Sequence, residues 1–176
     1  SNSSKRKHSS INKLPNLGFK KNSFSEVITS GEMIWRTIDQ LSLKNLKNKK
    51  CFHIYDKSKK DGLDFRKDLK NIFFTEDISE ADFILACTPY DNSQPIDYVP
   101  LLDKALEKNL IMYCANPDFE TVEKNKTKNA FCMGIIAELY KKIGGKVIIQ
   151  GKPEIDIYNE STKNIKIDKS KTIAIG

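Results

Sequence analysis

The chain has 176 residues, of which 39% are hydrophobic and 30% charged, and its net charge is +7 at pH 7. That is enough apolar material for one medium domain or two small ones, and it excludes wholesale disorder. No apolar run reaches the roughly 20 residues that span a bilayer, and the first ten residues are too polar for a secretory leader, so a soluble cytoplasmic protein is expected.

The positive charge does not by itself indicate nucleic acid. Lysine supplies 27 of the 30 basic residues, and the arginines are only Arg6, Arg36 and Arg66. Specific nucleic-acid readers favour arginine's bidentate fork and interleave aromatics. The Lys runs at 44–50 and 57–60 therefore read as solvated faces. Cys51, Cys87, Cys114 and Cys132 form no C-x-x-C pair and sit in apolar contexts, which predicts buried, reduced thiols. His8 and His53 are far apart, so no zinc spacing is present.

Along the chain, SNSSKRKHSS (1–10) reads as a hydroxyl-rich, basic loop. Met33, Ile34, Ile38 and Leu41 recur at helical spacing behind the capping candidates Thr29 and Ser30, which predicts a helix over about 31–42. KKCFHIYDKS (49–58) reads as a strand and a turn. DGLDFRKDLKN follows as a loop with a short helix at most. The next stretch holds two short apolar runs, the second of which, DFILAC (82–87), has the continuous apolar pattern of a buried strand. Leu101, Leu102, Ala105 and Leu106 define a helix over 97–108, and NLIMYCANPD (109–118) is a buried strand ending in a turn. After a Lys/Asn-rich loop (123–129), FCMGIIAELYKKIGG (131–145) is an amphipathic helix stopped by Gly144 and Gly145. KVIIQGKP then reads as strand and turn, EIDIYNESTKNI as a helix, and KSKTIAIG as a closing buried strand. Strands that alternate with helices predict an α/β fold with a parallel sheet.

Four segments have chemical potential. Ser1-Asn2-Ser3-Ser4 could offer hydroxyls and N–H groups to a phosphate, or be a simple tail. Gly151-Lys152-Pro153 puts a lysine just past a strand, where ligands of α/β sheets sit, or else on a plain surface turn. Asn116-Pro117-Asp118 lies beyond another buried strand and could contact a ligand or only form the turn. Thr29-Ser30-Gly31-Glu32 could hold an anion at a helix start or merely cap it.

Taken in order, these segments resemble the haloacid dehalogenase (HAD) superfamily, in particular its subclass IIA phosphatases. SNSSKRK resembles the stretch with the family's second motif, a Ser/Thr-Asn. LGFKKNSFSEVITSGEMIW resembles the passage from core to cap, and GLDF and ADFILAC resemble cap strands. ANPD is similar to the return to the core. CMGIIAELYKKIGGKVIIQGKPEIDIY is similar to the stretch carrying the third motif, a lysine, and KTIAIG to the strand before the fourth. The resemblance covers essentially all 176 residues. It implies an incomplete Rossmann-like core (residues 1–30 and 119–176) with an inserted α/β C2-type cap (31–118). It also implies roles. Ser1 would bind the transferring phosphoryl group with help from the Asn2 backbone. Lys152 would hold the nucleophilic aspartate and the phosphate. Asn116 and Asp118 would shape the substrate-facing junction of cap and core, and Thr29, Ser30 and Gly31 would form a hinge.

In that family the nucleophile comes from a D-x-D-G motif, and further aspartates in G-D-x-x-x-T-D hold Mg²⁺. Neither motif occurs in these residues. The expectation is therefore a phosphohydrolase of a small phosphorylated metabolite, or a truncated relic of one, inactive as this chain alone and with no metal site in it. The alternative is an α/β module that binds a ligand or partner without turnover. A nucleic-acid or membrane partner is not expected.

Overall fold

The computed structural model describes residues 1–121 and 131–173. The predicted loop at 123–129 and the last three residues of KTIAIG lie outside the described residues. Five strands, β1 (Lys49–Ile54), β2 (Ile72–Thr75), β3 (Phe83–Ala86), β4 (Ile111–Cys114) and β5 (Lys146–Ile149), form one sheet in the order β2-β1-β3-β4-β5. Every pairing is parallel. The helices are α1 (Lys7–Ile11), α2 (Ser30–Ser42), α3 (Asp61–Arg66), α4 (Val99–Glu107), α5 (Met133–Lys142) and α6 (Ile155–Thr162).

Successive strand residues point to opposite faces, and here both faces are buried. Phe52, Ile54, Ile84, Ala86, Met112 and Cys114 pack with Leu102 and Ala105 of α4 and with Met133, Ile136, Ala137 and Tyr140 of α5. Their neighbours Cys51, Tyr55, Phe83, Leu85, Tyr113 and Ala115 pack with Ile34 and Ile38 of α2 and with Phe65 of α3. A parallel sheet covered on both sides has no polar face to display, which is why its strands read as continuous apolar runs. All four cysteines are buried. The α/β expectation holds.

Several local expectations change. Residues 7–11 are helical and not a loop. GLDF is not a strand but the middle of α3. The closing strand is not formed in its described part, because 169–171 is a 3-10 turn and Thr172 and Ile173 pair with no strand. The expected division between 31–118 and 119–176 cuts through one sheet: β5 pairs with β4, with Cys114 opposite Ile149, and α5 packs on both.

Candidate functional site

The carboxyl ends of β4 and β5 lie side by side, and the segments that leave them meet residues 1–5. Asn2 is the joint. Its Oδ1 accepts from the Lys152 N–H at 2.6 Å, and its Nδ2 donates to the Lys152 carbonyl at 3.0 Å and to Asp118 Oδ1 at 2.8 Å. One side chain, buried to 9% exposure, thus fixes both backbone groups of Lys152 and the carboxylate of Asp118. Asn116 shapes the turn from within, its Oδ1 accepting from the Asp118 N–H at 3.2 Å.

The start of α2 completes the cluster. Ser30 N–H donates to the Ser1 carbonyl at 2.9 Å and Gly31 N–H to the Ser3 carbonyl at 3.0 Å. Thr29 Oγ1 accepts from the Glu32 N–H at 3.0 Å and donates to the Lys5 carbonyl at 2.6 Å. These partners engage the N–H groups that an anion would need, so this segment is a cap and an anchor and not an anion site. Two glycines permit the close approach. A Cβ on Gly31 would lie 2.1 Å from the Ser4 carbonyl oxygen, and one on Gly151 would lie 2.8 Å from both Asn2 Oδ1 and Pro117 Cγ. The Ser30 hydroxyl, fully buried beside Gly151, has no hydrogen-bond partner among the described residues.

Glu32 holds residues 5–7 against α2. Its carboxylate accepts from Arg6 Nε at 2.8 Å, from the Lys7 N–H at 3.1 Å and from Arg36 Nε at 3.3 Å. Burial pushes its pKa up, but Arg6, the Lys7 N–H and Arg36 outweigh burial and hold it below the ordinary glutamate value. Arg6 also lies over the Trp35 ring, 3.6 Å from its centre, a cation–π contact.

Lys152 itself is exposed, and among the described residues no carboxylate pairs with its ammonium. Together with Ser1 it lines a cavity of about 430 Å³ whose other walls are mostly apolar, from residues 14–28 and from α6 and Ile165 beyond it. A free cation at the carboxyl edge of a parallel sheet can neutralise an anionic ligand.

All five expected site residues, Ser1, Asn2, Asn116, Asp118 and Lys152, therefore fall in one cluster. The structure changes how two of them sit there. Asn2 contributes its side chain to the clamp on Lys152, and Ser1 Oγ accepts from the Ser3 N–H at 3.2 Å. The sequence reading missed the clamp itself and the Arg6–Glu32–Arg36 group. The i, i+4 spacing of Glu32 and Arg36 was the only local signal for the latter.

Comparison with solved structures decides the family. A haloacid dehalogenase-like hydrolase from Brucella suis 1330 matches 92% of this chain at 27% identity with a TM-score of 0.77. This is a haloacid dehalogenase-like chain. A possible sugar phosphatase of the HAD superfamily from Cytophaga hutchinsonii matches 94% of it at 16% identity (TM-score 0.66), and a hypothetical protein from Pyrococcus horikoshii matches 92% at 21% (TM-score 0.61). At those identities the likeness is one of fold. The HAD-like chain spans only 56%, 59% and 60% of these three proteins, respectively. No family model and no curated protein matches the sequence.

Proposed function

We propose that this chain forms the substrate-facing and phosphate-gripping part of a HAD-like phosphohydrolase of subclass IIA, acting on a small phosphorylated metabolite in the cytoplasm. The observation that carries the reading is the Asn2 clamp, which holds Lys152 and Asp118 at one place from segments 116 and 150 residues away. In this reading Lys152 offsets phosphate charge, the Ser1 hydroxyl donates to a phosphoryl oxygen, and the 116–118 turn faces the substrate body. The sheet from β1 to β5, with its helices, serves as the cap, and residues 1–30 and 151–173 lead into the core.

The family's chemistry needs a carboxylate nucleophile and Mg²⁺. The residues here do not suit that ion. A hard cation takes several oxygen ligands, whereas Asp118 already accepts from Asn2 and lies beside Lys152. No cluster of three His, Cys, Asp or Glu side chains able to hold a metal occurs among the described residues.

Calorimetric titration with inorganic phosphate tests the grip. Binding should weaken at least tenfold in Lys152→Ala, the size of one lost charged contact of about 1.5 kcal/mol. Equal affinity in the variant would remove Lys152 from the site. With p-nitrophenyl phosphate and Mg²⁺ the chain alone should show no turnover above background.

A further inference from the structure

We infer that β2 pairs edge to edge with β2 of a second copy of this chain, antiparallel about a two-fold axis at Phe73, so that the two sheets become one. This pairing is independent of the phosphohydrolase reading.

The strand order β2-β1-β3-β4-β5 leaves β2 at an edge. Edge strands are usually blunted by a lysine, a proline or a bulge. Ile72–Thr75 contains no lysine or proline and pairs with β1 in unbroken register, and Phe73 is 58% exposed. The strand is held firmly from behind. Ile72 is buried, and Phe74 packs against His53 and under Arg66, whose guanidinium carbon lies 4.5 Å from its ring centre. What stays open is the outer rim.

Hydrogen-bond parity decides which groups that rim offers. The Lys50 carbonyl accepts from the Asp82 N–H, so Lys50 faces β3. Alternate residues of a strand face alternate neighbours, so Lys49 and Cys51 face β2 and bond Phe73, which stands opposite Lys50. The Asn71 carbonyl likewise turns inward, to the Asn48 N–H. Ile72 and Phe74 therefore direct N–H and C=O outward, and among the described residues no other strand or loop bonds to them.

A second copy meets all of these groups. An axis at Phe73 places Ile72 opposite the second copy's Phe74, and each then donates its N–H to the other's carbonyl. The same exchange repeats on the other side of the axis. The two Phe73 side chains meet at the axis as a non-hydrogen-bonded pair, the closer of the two antiparallel kinds. Charge selects the same register. Lys70 stands three residues before Phe73 and Glu76 three after, so the axis brings each lysine beside the second copy's glutamate. Both residues are exposed. The net charge of +7 is not concentrated here, since Lys67 and Lys70 are the only basic residues from 67 to 82. A contact that joins the same edge of both copies closes at the dimer.

The test is sedimentation equilibrium of the chain over a concentration series, which should show monomer and dimer in exchange. Lys70→Glu and Glu76→Lys should each weaken self-association about tenfold, because each sets two like-charged pairs across the axis. An equimolar mixture of the two variants should restore it, because the mixed dimer is complementary at both ends. Phe73→Cys reads the geometry directly. Non-hydrogen-bonded antiparallel partners have Cα atoms about 4.5 Å apart, within disulfide reach, and the chain's own cysteines are buried. Under mild oxidation Phe73→Cys should give a covalent dimer, whereas Ile96→Cys, 70% exposed on the turn after β3, should not. A chain that stays monomeric throughout, a dimer indifferent to both charge reversals, a mixture that fails to recover, or equal cross-linking at residue 96 would overturn the inference. Circular dichroism checks that each variant folds. Should a charge variant not fold, the two cysteine variants decide the matter alone.

Discussion

Asn2 donates to and accepts from segments that are neighbours only because β4 and β5 are paired. Truncating it leaves three groups unpartnered: the Lys152 N–H, the Lys152 carbonyl and the Asp118 carboxylate. Neutral hydrogen bonds contribute about 1 kcal/mol each and those to charged groups about 1.5–3. Asn2→Ala should therefore cost about 2–4 kcal/mol, read from the urea midpoint. Asn116→Ala removes one 3.2 Å bond within a single turn and should cost less than about 1 kcal/mol. Equal losses in the two variants would mean that Asn2 is not the joint. Asn2 was legible in the sequence as part of a Ser/Thr-Asn pair, and so as a phosphate-site candidate. Its side-chain role was not legible, because its partners are fixed only by tertiary contact, and no local pattern encodes a contact across 150 residues.

At the level of elements, the strands were the most legible because burial on both faces turns them into continuous apolar runs, as in DFILAC and NLIMYC. Helix α1, KHSSI, has no apolar period and buries no residue, so the sequence shows no reason for it. The Lys7 N–H bonded to Glu32 gives the structural reason. KTIAIG has the apolar pattern, but over its described residues 171–173 no neighbouring strand pairs with it. His53 shows how elements depend on one another. It sits in β1, accepts at Nδ1 from Arg66 Nε of α3 at 3.1 Å, and places Nε2 3.3 Å from Cys87 Sγ beyond β3. A ring that accepts at Nδ1 carries its proton on Nε2 and is neutral. Burial, and secondarily Arg66, hold its pKa well below the usual 6.5. The unfolded chain then takes up a proton that the folded chain refuses. The contribution of His53 is complete above pH 6.5 and declines as the pH falls below it, by up to about 1.4 kcal/mol per pH unit. Between pH 7 and 5.5 the urea midpoint should drop by the equivalent of about 1 kcal/mol, and His53→Gln should flatten that slope. An equal slope in the variant would place the titrating group elsewhere.

For the whole molecule, the question is whether the sheet and the segment after residue 118 are one cooperative unit. The sequence placed a boundary there because ANPD resembles a return to a core. The structure gives a physical reason to expect no boundary. Met133, Ile136, Ala137 and Tyr140 of α5 share a buried cluster with Ile54, Ile84 and Met112, and Tyr140 Oη donates to the Leu110 carbonyl at 2.7 Å. Removing 133–149 would therefore strip one face of β3 and β4, and burying an aliphatic or aromatic side chain contributes about 1.5–3 kcal/mol. Units that share a core this way open together. Native-state hydrogen exchange at increasing denaturant should show the protected amides of α5 losing protection with those of β1, β3 and β4, within about 1 kcal/mol. Amides of residues 14–28, where no side chain joins either buried cluster among the described residues, should exchange through much smaller openings. If α5 instead opens well before β4, residues 133–149 form a separate unit and the single cooperative unit argued here is wrong.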